Sequence, residues 1–251
     1  MSLVETPAIL LRAHPYSETS KILRFYSRDM GVVAVMAKGV RKAGGRGGGG
    51  LSTLAEGTLS FHYRDNRDLQ TFRDFSTSRY RRGLARDPRR FAGGAVLGEM
   101  VLQHAGSDPN PSLYARLSGG LEALEAVEDD LLLPTLLLEM WALIGELGYK
   151  PSVLHCVECG EALGAEEMGR FDFAEGGIRC PRCLSGDHGP RLGPVARIQL
   201  VGLVDGSFQG NLTRPMAHLR LASDFITYHI SGGYPLRSRE VLVKLIPEDD
   251  A

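Results

Sequence analysis

The 251-residue chain carries no motif of an established catalytic type. There is no His-Glu-x-x-His, no Gly-x-Ser-x-Gly, and no dinucleotide-binding glycine pattern set between a strand and a helix. The glycines at 47–50 are not followed by Gly-Lys-Ser/Thr, so they are not a phosphate-cradling loop. Cysteine is scarce, with four residues, all in two close pairs that leave none over as a nucleophile. Acidic pairs such as Asp129-Asp130 stand at a helix start, where they complement the helix dipole. An enzyme is not supported. Long apolar stretches are missing too. The most apolar run, Leu131 to Leu138, is interrupted by Glu139, far short of the roughly 20 residues a bilayer span needs. The first residues lack a basic segment followed by an apolar core, so no secretory signal is visible. The expectation is a cytoplasmic protein.

Net charge is nearly absent, at −1, but the total conceals a division. Residues 1–90 hold 17 Lys+Arg against 8 Asp+Glu, and residues 91–251 hold 12 against 22. A basic N-terminal part is the footprint of a polyanionic partner, nucleic acid before membrane, because no amphipathic apolar face accompanies the charge. A merely solvated surface is the alternative reading.

Five segments read as strands: Val4–Arg12, Ser20–Ser27, Val32–Lys38, Thr53–Tyr63 and Leu69–Phe75. Five short strands without a convincing helix between them fit a small β-barrel of the oligonucleotide-binding (OB) fold, five-strand barrels of other kinds being the alternative. Between the third and fourth strands, Lys38, Arg41, Lys42 and Arg46 stand among glycines. A basic loop beside a barrel groove suits sequence-neutral phosphate contact. The next run, Arg79 to Arg90, holds six arginines against one acid, Asp87. Arg79, Arg81, Arg82, Arg86, Arg89 and Arg90 extend the expected nucleic-acid track, since guanidinium groups fork onto phosphate and stack on bases. Tyr80, Phe72 and Phe25 are candidates for base stacking, with core packing the better reading for any one of them.

After Arg90 the apolar period becomes helical. Helices are expected over Phe91–His104, Pro111–Val127 and Leu131–Leu147, and again over Pro194–Val204, Pro215–Ile230 and Ser238–Leu245. Between the two groups stand Cys156-Val157-Glu158-Cys159 and Cys180-Pro181-Arg182-Cys183. Two C-x2-C pairs at this separation are the spacing of a four-thiolate zinc module, each tight turn aiming two sulfurs at one ion. Gly160 supplies the backbone freedom of the first knuckle. Four sulfurs fill a tetrahedral ion, so Cys156, Cys159, Cys180 and Cys183 point to one structural Zn2+. His155 and His188 read as surface residues, with replacement of one thiolate left open. The insert over 160–179 is acidic, five acids to two bases, and does not favour phosphate. The expected fold class is therefore α+β multidomain: an OB barrel over residues 1–78, and a helical domain over 79–150 and 193–251 with the zinc module over 151–192 inserted in it.

Ala8-Ile9-Leu10-Leu11-Arg12, Pro15-Tyr16-Ser17-Glu18-Thr19-Ser20-Lys21-Ile22-Leu23, Gly31-Val32-Val33 and Ala37-Lys38-Gly39-Val40-Arg41-Lys42 resemble the opening of the bacterial recombination mediator RecO family. Glu146-Leu147-Gly148-Tyr149-Lys150-Pro151 leading into the first cysteine pair, and Gly233-Tyr234-Pro235-Leu236-Arg237-Ser238, continue the likeness along essentially the whole chain. The resemblance implies a DNA repair and recombination mediator that hydrolyses no nucleotide. It implies binding of single- and double-stranded DNA, annealing of complementary strands, contact with single-strand-binding protein and, with RecR, loading of the RecA recombinase. It also implies a groove in the helical domain for the acidic tail of single-strand-binding protein, where Arg116, Arg237 or Arg239 would meet its carboxylates. The competing class is a zinc-containing OB-fold assembly factor that binds RNA or protein.

Overall fold

Five strands close into a barrel in the computed structural model, which describes residues 2–40, 51–184 and 189–246. They are β1 (Ser2–Pro15), β2 (Lys21–Ser27), β3 (Gly31–Ala37), β4 (Glu56–Tyr63) and β5 (Leu69–Arg79). The order is β1-β2-β3-β5-β4, with β4 returning to β1. Within the barrel only β3 and β5 pair in parallel. This is the OB order, and it removes every free sheet edge. Alternation along each strand sends Leu10, Leu23, Phe25, Val33, Val35, Leu59, Phe61 and Phe75 inward. Phe25 and Phe75 meet at 5.0 Å between ring centres.

One bulge decides which β1 residues face out. Leu10 opposes Phe25 inside the barrel, and the register then shifts so that Arg12, not Leu11, opposes Arg24. The extra residue restores the outward phase to Arg12, which strict alternation from Leu10 would have turned into the core. Gly31, at the β2–β3 turn, takes φ +58°, and a Cβ there would stand 2.4 Å from the Gly106 carbonyl oxygen. That oxygen accepts a hydrogen bond from the Val32 amide at 2.9 Å, so the close approach is a pairing contact.

Three helices follow in the same compact unit, Met1–Glu125. They are α1 (Arg82–Arg86), α2 (Pro88–His104) and α3 (Pro111–Ala126). The α2 helix begins three residues ahead of the expected Phe91, because Asp87-Pro88 starts it: the Asp87 carboxylate accepts from the Arg89 and Arg90 amides, and Pro88 occupies the first turn. Its small residues permit close packing on the barrel side. A Cβ on Gly94 would come within 2.7 Å of Leu54 Cδ1, and one on Gly98 within 3.3 Å of Leu11 Cδ2. With α2 packed in this way, the compact unit runs past residue 78 to Glu125.

A buried ionic cluster ties the barrel to α3. Arg81, whose side chain is 0% exposed, donates to the Glu56 carboxylate at 2.6 Å and to Ser118 Oγ at 3.0 Å. Ser118 and Tyr114 hydroxyls donate to the same carboxylate at 2.8 and 3.0 Å. Burial and the adjacent Glu56 charge push the Tyr114 phenol above the usual tyrosine range.

The second unit, Ala126–Ala251, holds α4 (Leu132–Glu146), α5 (Pro194–Asp205), α6 (Pro215–His229) and α7 (Arg237–Leu245). Between α4 and α5 lie β6 (Ser152–Cys156), β7 (Gly169–Asp172), β8 (Gly177–Arg179) and β9 (Arg191–Leu192), in the order β6-β8-β7-β9. Trp141 of α4 lies 5.5 Å from Phe225 of α6, and Phe171 of β7 meets the same ring edge-on at 5.8 Å. The small sheet thus buries its one large aromatic against a helix, since four short strands have no core of their own.

Candidate functional site

The four cysteines converge. Cys156 ends β6, and the turn after it closes through the Gly160 amide on the Cys156 carbonyl at 2.9 Å, with Gly160 at φ +74°. The second knuckle is a single 3-10 turn, Pro181–Cys183, closed by the Cys183 amide on the Cys180 carbonyl at 3.1 Å. All four sulfurs lie within 4.8 Å of one another. Thiolates about 2.3 Å from a tetrahedral ion stand about 3.8 Å apart, and Cys159 Sγ lies 3.9 Å from Cys180 Sγ. The donor set therefore fits one tetrahedral, thiophilic metal ion. Among the described residues His155 is not part of this cluster, and His188 lies outside them.

The surroundings favour negative sulfur at Cys156. Burial pushes the Cys156 thiol up, but the Cys159 and Cys180 amides and thiols outweigh it and bring it down to about 7. The neighbouring sulfurs push Cys159 and Cys183 up, Cys156 acting mainly on the first and Cys180 on the second. Arg179 braces the knuckle by pairing with buried Asp172 at 2.7 Å and with Glu158, between the first two cysteines. Asp172 in turn accepts from the Ala174 and Glu175 amides.

The expected phosphate-binding arginines fall into three groups. Arg82 and Arg86 are exposed, with Arg82 over the Tyr80 ring at 5.7 Å. Arg79 and Arg89 are accessible but paired, Arg79 with Glu122 at 2.8 Å and Arg89 with Asp87 at 3.2 Å. Arg81 and Arg90 are corrections. Arg81 is enclosed with Glu56, and Arg90, 9% exposed, gives Nη1 to the Leu124 carbonyl at 2.7 Å. Neither guanidinium reaches a phosphate without leaving a buried acceptor unpaired. Of the loop bases Lys38 is exposed, whereas Arg41, Lys42 and Arg46 lie outside the described residues. Phe25 is a core residue and Phe72 packs partly against that core, so of the three aromatics only Tyr80, 42% exposed, is open for stacking. Arg116 is half-buried in the first compact unit, and Arg237 and Arg239 open α7 in the second.

Sequence reading missed a basic group that strand pairing creates. Arg12 opposes Arg24 across β1 and β2, Lys21 opposes Ala37, and Lys38 follows Ala37 directly. Among the described residues none of these four cations has an acidic partner. His14 and Ile22 form the next outward pair, continued by Met36 on β3. Burial lowers the His14 pKa and the Arg12 and Arg24 charges lower it further, so its ring is neutral at neutral pH. The result is a positive edge beside a half-buried, uncharged row. The sequence signal was the basic residues inside Val4–Arg12 and Ser20–Ser27, but the β1 bulge hid their shared face.

Fold and site together define a class: an OB-barrel protein with a helical second part and a four-cysteine knuckle able to hold a metal ion. The description "Recombination protein O N terminal" fits residues 1–81, and "Recombination protein O C terminal" fits residues 85–240. The chain belongs to the recombination protein O family. A curated relative named DNA repair protein RecO, from Nocardioides sp. (strain ATCC BAA-499 / JS614), is 29% identical over 243 residues, covering 92% of this chain and 96% of the relative. Another of that name, from Desulfitobacterium hafniense (strain DSM 10664 / DCB-2), is 27% identical over 217 residues, 85% of this chain and 77% of the relative. No helix among the described residues is long and apolar enough to cross a membrane.

Proposed function

We propose that the protein is a mediator of DNA repair and recombination with no catalytic step of its own. It binds single- and double-stranded DNA, anneals complementary strands and, with RecR, helps load RecA onto DNA coated by single-strand-binding protein. Family membership supports this reading, and one observation carries it: the β1 bulge sets Arg12 beside Arg24 on the outer face of an OB barrel, with Lys21 and Lys38 at hand and, among the described residues, no acid to neutralise them. Phosphate neutralisation by such groups lets two strands approach without reading their sequence.

In this division of labour residues 1–78 hold DNA, assisted by the loop residues Lys38, Arg41, Lys42 and Arg46 and by Arg79, Arg82, Arg86 and Arg89. With about five phosphates engaged on a single strand, the log–log salt slope is about −3.5, from about −0.7 per contact. One Zn2+ on Cys156, Cys159, Cys180 and Cys183 clasps the insert over 151–192 and takes no part in DNA contact. The tail of single-strand-binding protein docks on the helical part, with Arg116, Arg237 or Arg239 as its carboxylate partner.

Annealing of complementary oligonucleotides without ATP, in the presence of single-strand-binding protein, tests the proposal. Annealing that weakens when Arg12, Arg24 and Lys38 are replaced by glutamate supports it. Absence of annealing together with tight binding of structured RNA favours the assembly-factor class.

A further inference from the structure

The second compact unit contains a cavity of about 490 Å³, within the range of about 300–1,000 Å³ typical of small-molecule sites. Its walls come from the exit of the cysteine module and the first turns of α6. Phe173, Leu192 and Leu221 make the apolar lining, and Arg191, Arg214 and Arg220 stand around it. Among the described residues the single acid there is Asp224, 3.9 Å from Arg220. Three arginines against one acid reverse the sign of this half of the chain, in which acids outnumber bases by 22 to 12 from residue 91 onward. The local charge therefore suits an anion.

Two further features point to a ligand. His218 lines the cavity, is 3% exposed, and its Nδ1 has no hydrogen-bond partner. A buried polar atom without a partner is costly and uncommon unless something else supplies the bond. Burial also lowers the His218 pKa, so at neutral pH the ring is neutral, with one donor and one acceptor nitrogen. At the mouth, Arg214 takes the left-handed conformation (φ 52°, ψ 59°) directly before Pro215. A non-glycine residue held there is strained, and such strain concentrates at ligand clamps.

We propose that this cavity receives one unstacked nucleotide of a bound single strand, its base against Phe173 and His218 and its phosphates at the arginine rim. The inference rests on the single-strand binding proposed above and adds a second contact, in the other compact unit. A base edge fits better than an apolar peptide side chain, because it carries the donors and acceptors an imidazole can meet, while phenylalanine or leucine would leave Nδ1 unpaired. Guanidinium groups fork onto the flanking phosphates.

The test uses the full chain and a short thymidine oligonucleotide carrying one 2-aminopurine, which brightens when unstacked. Ala217, an exposed wall residue on α6, is replaced by tryptophan to fill the cavity, and a second variant combines Arg191→Glu with Arg214→Glu. Wild type brightens the probe on binding. Both variants lose the brightening and bind about tenfold more weakly, in line with one lost stacked base, while melting like wild type. Normal binding with undiminished brightening in Ala217→Trp overturns the cavity assignment alone. So does an acidic, phenylalanine-ended peptide that binds wild type and is lost from Ala217→Trp while the oligonucleotide is unaffected. A wild-type protein that binds no single strand defeats both this inference and the function it rests on.

Discussion

Arg81 belongs to the most arginine-rich run of the chain, yet its replacement should act on stability and leave DNA binding alone. Its side chain is 0% exposed, and Nη2 bonds Glu56 at 2.6 Å and Ser118 at 3.0 Å. Arg81→Met keeps most of the volume and the same left-handed backbone demand (φ 49° in wild type) but leaves the Glu56 charge only its longer pairing with Arg79, at 3.9 Å. Breaking a buried ion pair from one side costs about 3–5 kcal/mol. Glu56 remains 18% exposed and keeps its bonds from Ser118 and Tyr114, so the lower end applies, about 3 kcal/mol. At about 2–4 °C per kcal/mol for a chain of this size, the melting temperature falls by about 6–12 °C. The double variant Arg81→Met/Glu56→Gln recovers most of the loss, because no uncompensated charge is left inside. Calorimetry gives the melting temperature, and fluorescence anisotropy across a salt series gives the slope of single-strand affinity. A variant that melts like wild type while its salt slope shrinks by about 0.7 would restore Arg81 to the phosphate contacts and refute this reasoning.

Three other perturbations read different parts of the molecule. Tyr114 keeps its proton above the usual tyrosine range, so its stabilising share is complete below about pH 10, the value of the unfolded chain, and is lost as pH rises toward the folded value; alkaline melting of Tyr114→Phe should lack that part of the slope. Asp87→Ala removes the cap of α2 and costs about 1 kcal/mol, measured by urea unfolding. Cys180→Ser releases the metal, counted by elemental analysis, and lowers stability and solubility first; a variant that stays fully folded yet loses DNA binding would contradict the structural role given to the cysteines.

The helices were legible because their apolar period is local: Leu113, Leu117, Leu121 and Leu124 recur on one face of α3, and all four are buried. The thiolate cluster was legible for the same reason, two short spacings fixing two knuckles. The basic surface was less so. Charge counting placed Arg81 and Arg90 on the surface because composition carries no burial, and what encloses them, Glu56 and the Leu124 carbonyl, lies 25 and 34 residues away. The pairing of Arg12 with Arg24 depends on a one-residue bulge, which shifts phase without leaving a mark in the hydrophobic pattern. Likewise the packing of α2 follows from Gly94 and Gly98 meeting Leu54 and Leu11, contacts that helical periodicity does not show.

The central claim is that the outer face of the barrel, not the cysteine module, brings DNA strands together. The most direct test is the rate of annealing of complementary oligonucleotides, without ATP and in the presence of single-strand-binding protein, for wild type and for Arg12→Glu/Arg24→Glu. Wild type should anneal, and the variant should fold and bind metal normally yet anneal at least about tenfold more slowly, as two charge reversals on a phosphate track imply. Equal rates for the two proteins would contradict the account.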